Sequence, residues 1–481
     1  MMEIVNNYID GEFVEPHTKQ YLDIYEPATG LVYGKVAESS NVDIDKAVAA
    51  AKKAFAYWSE LSIPERAGYL NKIAIEIKNR SHLLAKYESR DTGKPVSLAK
   101  TIDIPRAIEN FKFFANLSEN FDFEESIESE ISFNTITRKP LGVVGCISPW
   151  NLPLYLFSWK IAPALIVGNT VIAKPSEITP YTASKLAEIC LDIGLPRGVL
   201  NIVNGSGSVA GDLIVKNTNI KAISFTGGTA TGKLIYQNSF ESLKKLSLEM
   251  GGKNPAIIFE DCNFELMLKT VVRSSFTNQG QVCLCSSRIL VENSIFTKFK
   301  TEFCDAVSKL NISDPKDDET QFGAISSGSQ FEKIKHYIEI AKNENGNILI
   351  GGQAIKLQGR CEKGWFIEPT VIEGLDNKSR VNQEEIFGPV VTLQSFQSEK
   401  EAIELANATK YGLSATIWTE SQEKSSRVAN CIDAGVVWIN SWMVRDLRTP
   451  FGGMKNSGLG REGGDYALRF FTEQKNICNP K

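Results

Sequence analysis

A change of rhythm at residue 141 limits what this chain can fold into more than any other feature. From there, apolar segments at 141–147, 170–173, 199–203 and 222–225 alternate with helical stretches opening after Pro153, Thr179 and Ser208. Strands this short, joined by helices, are βαβ units and require a parallel sheet covered on both faces. A second alternating block runs over 254–440. A chain of 481 residues exceeds what one core serves. The expectation is therefore α/β, doubly wound twice, without internal repeats or low-complexity linkers.

Ahead of that block, Asp10-Gly11 and Ala28-Thr29-Gly30 read as hairpin turns. Two helical stretches follow. Ser62-Ile63-Pro64-Glu65 is a capping box opening the second, which is expected to run until Thr92-Gly93-Lys94-Pro95 stops it. A helix over 98–114 carries Pro105, which predicts a bend or a start there. The uncharged stretch 140–159 is long enough to test for a membrane span, but Pro140, Pro149, Asn151 and Pro153 would break it. It reads instead as a buried strand, a turn and the start of a helix.

Net charge is −4 with both signs interspersed, so no nucleic acid or membrane partner is expected. The first residues carry no basic region followed by an apolar one, so no secretory signal is expected. The 9 cysteines, odd in number and scattered, suit free thiols in a reducing, cytoplasmic setting.

Four segments carry chemistry. In Asn278-Gln279-Gly280-Gln281-Val282-Cys283 a glycine turn precedes a cysteine, which allows a presented thiol; a buried structural cysteine is the ordinary alternative. Cys285 adds the possibility of a metal pair, but His17, His82 and His336 lie in unremarkable contexts, so no metal is expected. In Leu248-Glu249-Met250-Gly251-Gly252-Lys253 the carboxylate is either solvated or turned into a cleft, where burial would raise its pKa toward that of a general base. Asn151, after Pro149-Trp150, is either a turn residue or a donor to a developing oxyanion. Phe225-Thr226-Gly227-Gly228-Thr229-Ala230-Thr231-Gly232 joins a strand to a helix through a glycine turn able to meet a phosphate, although GxGxxG is absent.

Together and in this order, these segments resemble the aldehyde dehydrogenase superfamily. The likeness runs from Tyr8-Ile9-Asp10-Gly11 to Pro450-Phe451-Gly452-Gly453 and Gly458-Leu459-Gly460-Arg461-Glu462. It implies oxidation of an aldehyde to an acid with NAD: Cys283 as nucleophile, Glu249 as general base for hydrolysis, and Asn151 beside the Cys283 N–H as oxyanion donor. Lys160 and Glu462 match a proton relay, with a structural salt bridge as the equal alternative. Gly227 and Gly232 match the turn under the pyrophosphate, Lys174 and Glu177 the adenosine-ribose contacts, and Glu385 and Phe387 the nicotinamide-ribose contacts. The implied cofactor set also takes in Ile147, Ser148, Pro149, Trp150, Ser176 and Gly207, and Phe225, Thr226, Gly228, Thr229, Met250 and Gly251. Glu177 would repel a 2′-phosphate, which favours NAD over NADP. Gly228 departs from a serine that many members carry, removing one side-chain contact to the phosphate.

The same resemblance implies an NAD-binding domain over 1–120 and 141–251, and a catalytic domain over 252–452. A small β oligomerisation arm over 121–140 and 465–481 would make a homodimer or homotetramer. Arg106 and Arg445 fall on elements that border the substrate funnel. Two arginines there would select an acidic substrate, whereas either alone is more simply a surface salt bridge. Asp103-Ile104-Pro105-Arg106, Ile147 through Tyr155 and Leu284-Cys285-Ser286-Ser287-Arg288 are similar to the muconic semialdehyde branch, which acts in tryptophan or aromatic-ring catabolism. The expected substrate is an acidic semialdehyde, the 2-aminomuconic one ahead of the 2-hydroxy one. A broad aliphatic or retinal-type enzyme, a coenzyme A-acylating one and a non-enzymatic relative are the alternatives.

Overall fold

The computed structural model describes residues 2–481; Met1, where the expected N-terminal segment begins, lies outside them. An eight-stranded sheet runs in the order Gly458–Leu459, Lys245–Glu249, Ile220–Thr226, Val143–Ile147, Thr170–Lys174, Leu200–Ile202, Asn7–Ile9, Glu12–Val14. Its five inner strands are parallel. Val143–Ile147 and Thr170–Lys174 are buried at every position, as strands covered on both faces must be. The winding reverses between Val143–Ile147 and Ile220–Thr226. At such a switch point the carboxyl ends of the strands diverge into a crevice.

The second sheet has seven strands in the order Asn347–Ile350, Thr370–Glu373, Val390–Phe396, Ser286–Glu292, Asn254–Ile258, Ser414–Trp418, Val436–Ile439. All its pairings are parallel except that of the edge strand Asn347–Ile350. The chain leaves the first sheet at Glu249 and enters the second at Asn254. At this crossing Met250 to Lys253 join them, so the carboxyl edge of one sheet faces the amino edge of the other. A cleft forms between the two edges.

Both expected hairpin turns form, Asp10 and Gly11 adopting φ of 52° and 78°. Two expectations need correction. The helix opened by the Ser62–Glu65 box does not run to Thr92; it divides into Ile63–Asn79 and Ser81–Thr92. Arg80 breaks it and reaches Glu76 at 3.2 Å and Asp192 at 2.7 Å. The sequence there has no glycine or proline to mark the joint. The helix expected over 98–114 is a short turn Val96–Leu98, a π turn Ala99–Asp103 and then Ile104–Leu117, with Pro105 in its first turn. Proline has no N–H to give, so a start is the place where it costs least.

Glu124–Glu128, Ser132–Pro140 and Thr472–Pro480 make a separate three-stranded antiparallel sheet. Thr472–Pro480 is exposed along its length except at Thr472. Among the described residues, no helix is long and apolar enough to cross a membrane.

Candidate active site

Cys283 sits on the amino edge of the second sheet, behind three consecutive left-handed residues: Asn278 (φ 52°), Gln279 (55°) and Gly280 (69°). A Cβ at residue 280 would lie 2.2 Å from the Gly388 carbonyl oxygen, so only glycine fits. Left-handed non-glycine residues are strained by about 1–3 kcal/mol each, so surrounding bonds must hold them. The Asn254 amide donates to the carbonyls of Cys283 (2.7 Å) and Cys285 (2.9 Å), and Trp442 Nε1 donates to that of Leu284 (2.9 Å). Three successive carbonyls around the thiol are thus fixed, two from the second sheet and one from the loop that follows its last strand. The Cys285 thiol donates to the Thr277 carbonyl at 3.8 Å and lies buried in the packing.

Asn151 is buried at the carboxyl edge of the first sheet. Its side-chain Nδ2 donates to the Gln281 carbonyl at 2.9 Å, linking it to the cysteine loop and leaving one N–H free. Cys283, Asn151, Met250, Gly251, Glu385 and Phe387 line one cleft. Burial, then the carboxylates of Glu249 and Glu385, push the Cys283 thiol above its ordinary value, while Arg445 opposes them. Burial and the two carboxylates therefore disfavour the thiolate.

Glu249 ends its strand with the carboxyl buried and Oε1 unpartnered. Burial and then Glu462 hold it well above the usual carboxylate range, against Lys160, Arg461 and Arg445. A Cβ on Gly452 would come within 2.8 Å of Oε1, so glycine makes room for this carboxylate. Lys160 Nζ donates to Glu462 Oε1 (2.7 Å) and Ser224 Oγ (3.1 Å), while Trp159 Nε1 holds Glu462 Oε2 (2.8 Å). Glu462 reaches this place because Gly458–Leu459 returns to pair with Lys245–Glu249.

At the switch point lies a groove of about 680 Å³, walled on one side by Ile147, Ser148, Pro149 and Trp150. Opposite stand Phe225, Thr226, Gly227 and Gly228, with Lys174, Ser176, Glu177 and Gly207 at the far end. Thr229 begins the helix Thr229–Asn238, whose Gly228 cap accepts no side-chain bond and has no heavy atom over its Cα. That helix end is free to meet an anion. A Cβ on Gly227 would strike the Phe225 ring at 2.5 Å, and one on Gly232 the Met250 sulfur at 2.3 Å. Glu177 accepts from Lys174 Nζ and from the Gly207 N–H, both at 3.4 Å, and Lys174 is shifted down by burial. Ser148 Oγ is buried without a partner. Gly252 N–H donates to Glu385 Oε1 at 2.8 Å, and Phe387 packs edge-on against Trp150 at 5.2 Å. An orphaned hydroxyl, an open helix end and the Glu177 and Glu385 carboxylates fit a dinucleotide.

Arg106 and Arg445 meet at Tyr155. The Arg106 guanidinium lies 5.7 Å from that ring, and Arg445 Nη1 donates to its hydroxyl at 3.1 Å. Arg445 also stacks on Phe451 (4.1 Å) and Trp159 (4.7 Å), and its Nη2 is buried without a partner. Neither arginine forms a salt bridge among the described residues.

Sequence reasoning passed over Asn254, and over Glu88, Lys94 and Asp103, which are buried beneath the Asn151 loop. In the sequence Lys94 stands out only through the helix stop Thr92-Gly93-Lys94-Pro95, and Asp103 only through the stretch that carries Arg106. A lysine in a Gly-Lys-Pro stop that must turn inward was the available signal.

The aldehyde dehydrogenase family model matches residues 13–477. The chain is 46% identical to a 2-aminomuconic semialdehyde dehydrogenase of Danio rerio and to one of Homo sapiens, covering 98% of each pair. It is 43% identical to a 2-aminomuconic 6-semialdehyde dehydrogenase of Pseudomonas sp., over 99% of this chain and 98% of that one. Betaine aldehyde dehydrogenase of Staphylococcus aureus, solved in complex with NAD+, superposes with a TM-score of 0.96 at 39% identity, covering 98% of this chain and 94% of that one. With this fold, this cleft and matches over nearly its whole length, the chain belongs to the aldehyde dehydrogenase family.

Proposed function

We propose that the protein oxidises an acidic semialdehyde, 2-aminomuconic 6-semialdehyde foremost, to its dicarboxylate with NAD. The observation that carries this is the pair of arginines at Tyr155, one with a buried Nη2 that no protein group satisfies. A substrate carboxylate remote from the aldehyde satisfies it. The names of the 2-aminomuconic relatives support the same substrate class.

The Cys283 sulfur adds to the aldehyde carbon as its proton passes to Glu249, and the carbonyl oxygen takes the free Asn151 N–H and the Cys283 backbone N–H. Glu177 and Lys174 at one end and Glu385 at the other would hold NAD, which would supply the acceptor for the hydride of the aldehyde carbon. The acyl group is left as a thioester on Cys283. Glu249 takes a proton from water, the hydroxide oxygen attacks the thioester carbon, and the acid leaves as Cys283 regains its proton. Before that, Lys160 and Glu462, next to Glu249, carry the first thiol proton away, and the proton taken from water is the one that Cys283 regains.

In this scheme 1–120 and 141–251 form the NAD-binding domain and 252–452 the catalytic domain. Within the arm over 121–140 and 465–481, where Gly464–Phe470 is helical rather than β, the exposed sheet of Glu124–Glu128, Ser132–Pro140 and Thr472–Pro480 packs on a second copy in a homodimer or homotetramer, since an uncovered strand is a hazard. Nine free cysteines suit the cytoplasm.

A panel of muconic, succinic and simple aliphatic aldehydes, followed by NADH absorbance, tests the substrate. The muconic semialdehyde is expected to have the highest kcat/KM, and Cys283→Ser to produce no NADH with any of them. Equal kcat/KM across the panel refutes the acidic substrate; turnover by Cys283→Ser refutes the chemistry.

A further inference from the structure

We propose that Lys94 is a positioning residue for Asn151, holding the oxyanion donor in place through its backbone carbonyl. This rests on the role given to Asn151 above.

Lys94 follows Gly93, whose left-handed φ of 76° turns the chain off the helix Ser81–Thr92. A Cβ at Gly93 would meet the Ala324 oxygen at 2.8 Å, and the Gly93 carbonyl accepts from Ala324 N at 2.8 Å, so the turn is locked. The Lys94 backbone is pinned as well: its N–H donates to Thr92 Oγ1 (3.3 Å) and its carbonyl accepts from Ser89 Oγ (2.6 Å). From this fixed base the side chain runs inward, with no exposure. Its ammonium donates to the Asn151 carbonyl at 2.9 Å and forms an ion pair with Asp103.

The Asn151 carbonyl takes one further bond, from Asn278 Nδ2 at 3.1 Å. Lys94 therefore anchors the Asn151 peptide from the first-sheet side and Asn278 from the cysteine loop. Beside them Glu88 accepts from the Leu154 N–H (3.2 Å) and from Thr182 Oγ1 (2.7 Å), which fixes the residues just after Asn151. Asp103 closes the π turn from which the Arg106 helix starts, so one cation ties the oxyanion donor to that helix.

An amide acts on a developing oxyanion only at hydrogen-bond distance, and a misplacement of about 1 Å costs on the order of 100-fold in rate. Without its ammonium the Asn151 peptide loses one of two anchors. Removing Lys94 alone also leaves Asp103 buried and unpaired, which endangers folding. The informative variant is therefore Lys94→Met with Asp103→Asn, which leaves no unpaired Asp103 charge, while Glu88, which also faces Lys94, keeps its bonds from the Leu154 N–H and Thr182 Oγ1.

The experiment is a double-mutant cycle on kcat between that paired variant and Asn151→Ala, with NADH absorbance for turnover and fluorescence titration for NAD binding. The paired variant is expected to keep its Kd for NAD and lose about 10- to 100-fold in kcat with acidic and neutral aldehydes alike. In the Asn151→Ala background the same pair should change kcat less than about two-fold, since its effect passes through Asn151. A purely structural role would give losses that multiply. Multiplying losses, or an unchanged kcat in the paired variant, overturn the proposal while Asn151→Ala is slow. If Asn151→Ala turns over at full rate, the oxyanion role of Asn151 has failed, and this inference with it.

Discussion

Arg445→Met separates the charge beside Tyr155 from its packing. Arg445 lies 4.1 Å from the Phe451 ring and 4.7 Å from Trp159, donates to Tyr155 at 3.1 Å, and has Nη2 buried and unpaired. Methionine fills similar space and makes its own sulfur–aromatic contacts, so the wall survives. Two lost cation–π contacts weaken it by about 0.5–1 kcal/mol each, which a domain of ordinary stability tolerates. A substrate carboxylate on Nη2 gains a charge-assisted hydrogen bond of about 1.5–3 kcal/mol. At about 1.36 kcal/mol per decade, kcat/KM for an acidic semialdehyde should fall about 10- to 160-fold. A neutral aldehyde of the same length has no carboxylate to lose, so it reports only the loss of the Arg445 charge beside Glu249 and Cys283 and should fall by a smaller factor than the acidic one. Initial rates of NADH formation on both substrates give the ratio directly. If both fall by one factor, or the acidic one holds, Nη2 is not a carboxylate site and Arg445 is only part of the wall.

Other perturbations read the rest of the cleft. Glu249→Asp would move its carboxylate, so its pH behaviour is better probed from a neighbour. The Glu249 carboxyl is raised by burial and then by Glu462, so it is protonated at low pH and thioester hydrolysis should rise as pH rises through its pKa. Glu462→Gln removes the repelling charge, and the acidic limb of ester hydrolysis without NAD should move to lower pH; a limb that stays or moves up contradicts this. Gly251→Ala places a Cβ 2.0 Å from Glu385 Oε2 and should displace that carboxylate. NAD affinity by fluorescence titration should then weaken by about ten-fold, the worth of one good hydrogen bond; an unchanged Kd would separate Glu385 from the cofactor.

Local chemistry made part of this protein legible in the chain itself. The βαβ rhythm, the Asp10-Gly11 hairpin and the Ser62–Glu65 cap depend on residue period and backbone preference, which act over a few neighbours. The cysteine turn, the glycine turn and the Glu249 strand end were visible for the same reason. Other features exist only after packing. Nothing near Arg80 marks a helix break, because its partner Asp192 arrives from another helix. Asn254 clamps Cys283, Lys94 reaches Asn151, and Arg445 finds Tyr155 from 290 residues away. The direction in which Glu249 and Cys283 titrate was likewise decided in three dimensions, since it depends on burial and on which charges the fold places beside them. Sequence carries the bonding capacity of each group, whereas distance and dielectric belong to the assembled fold.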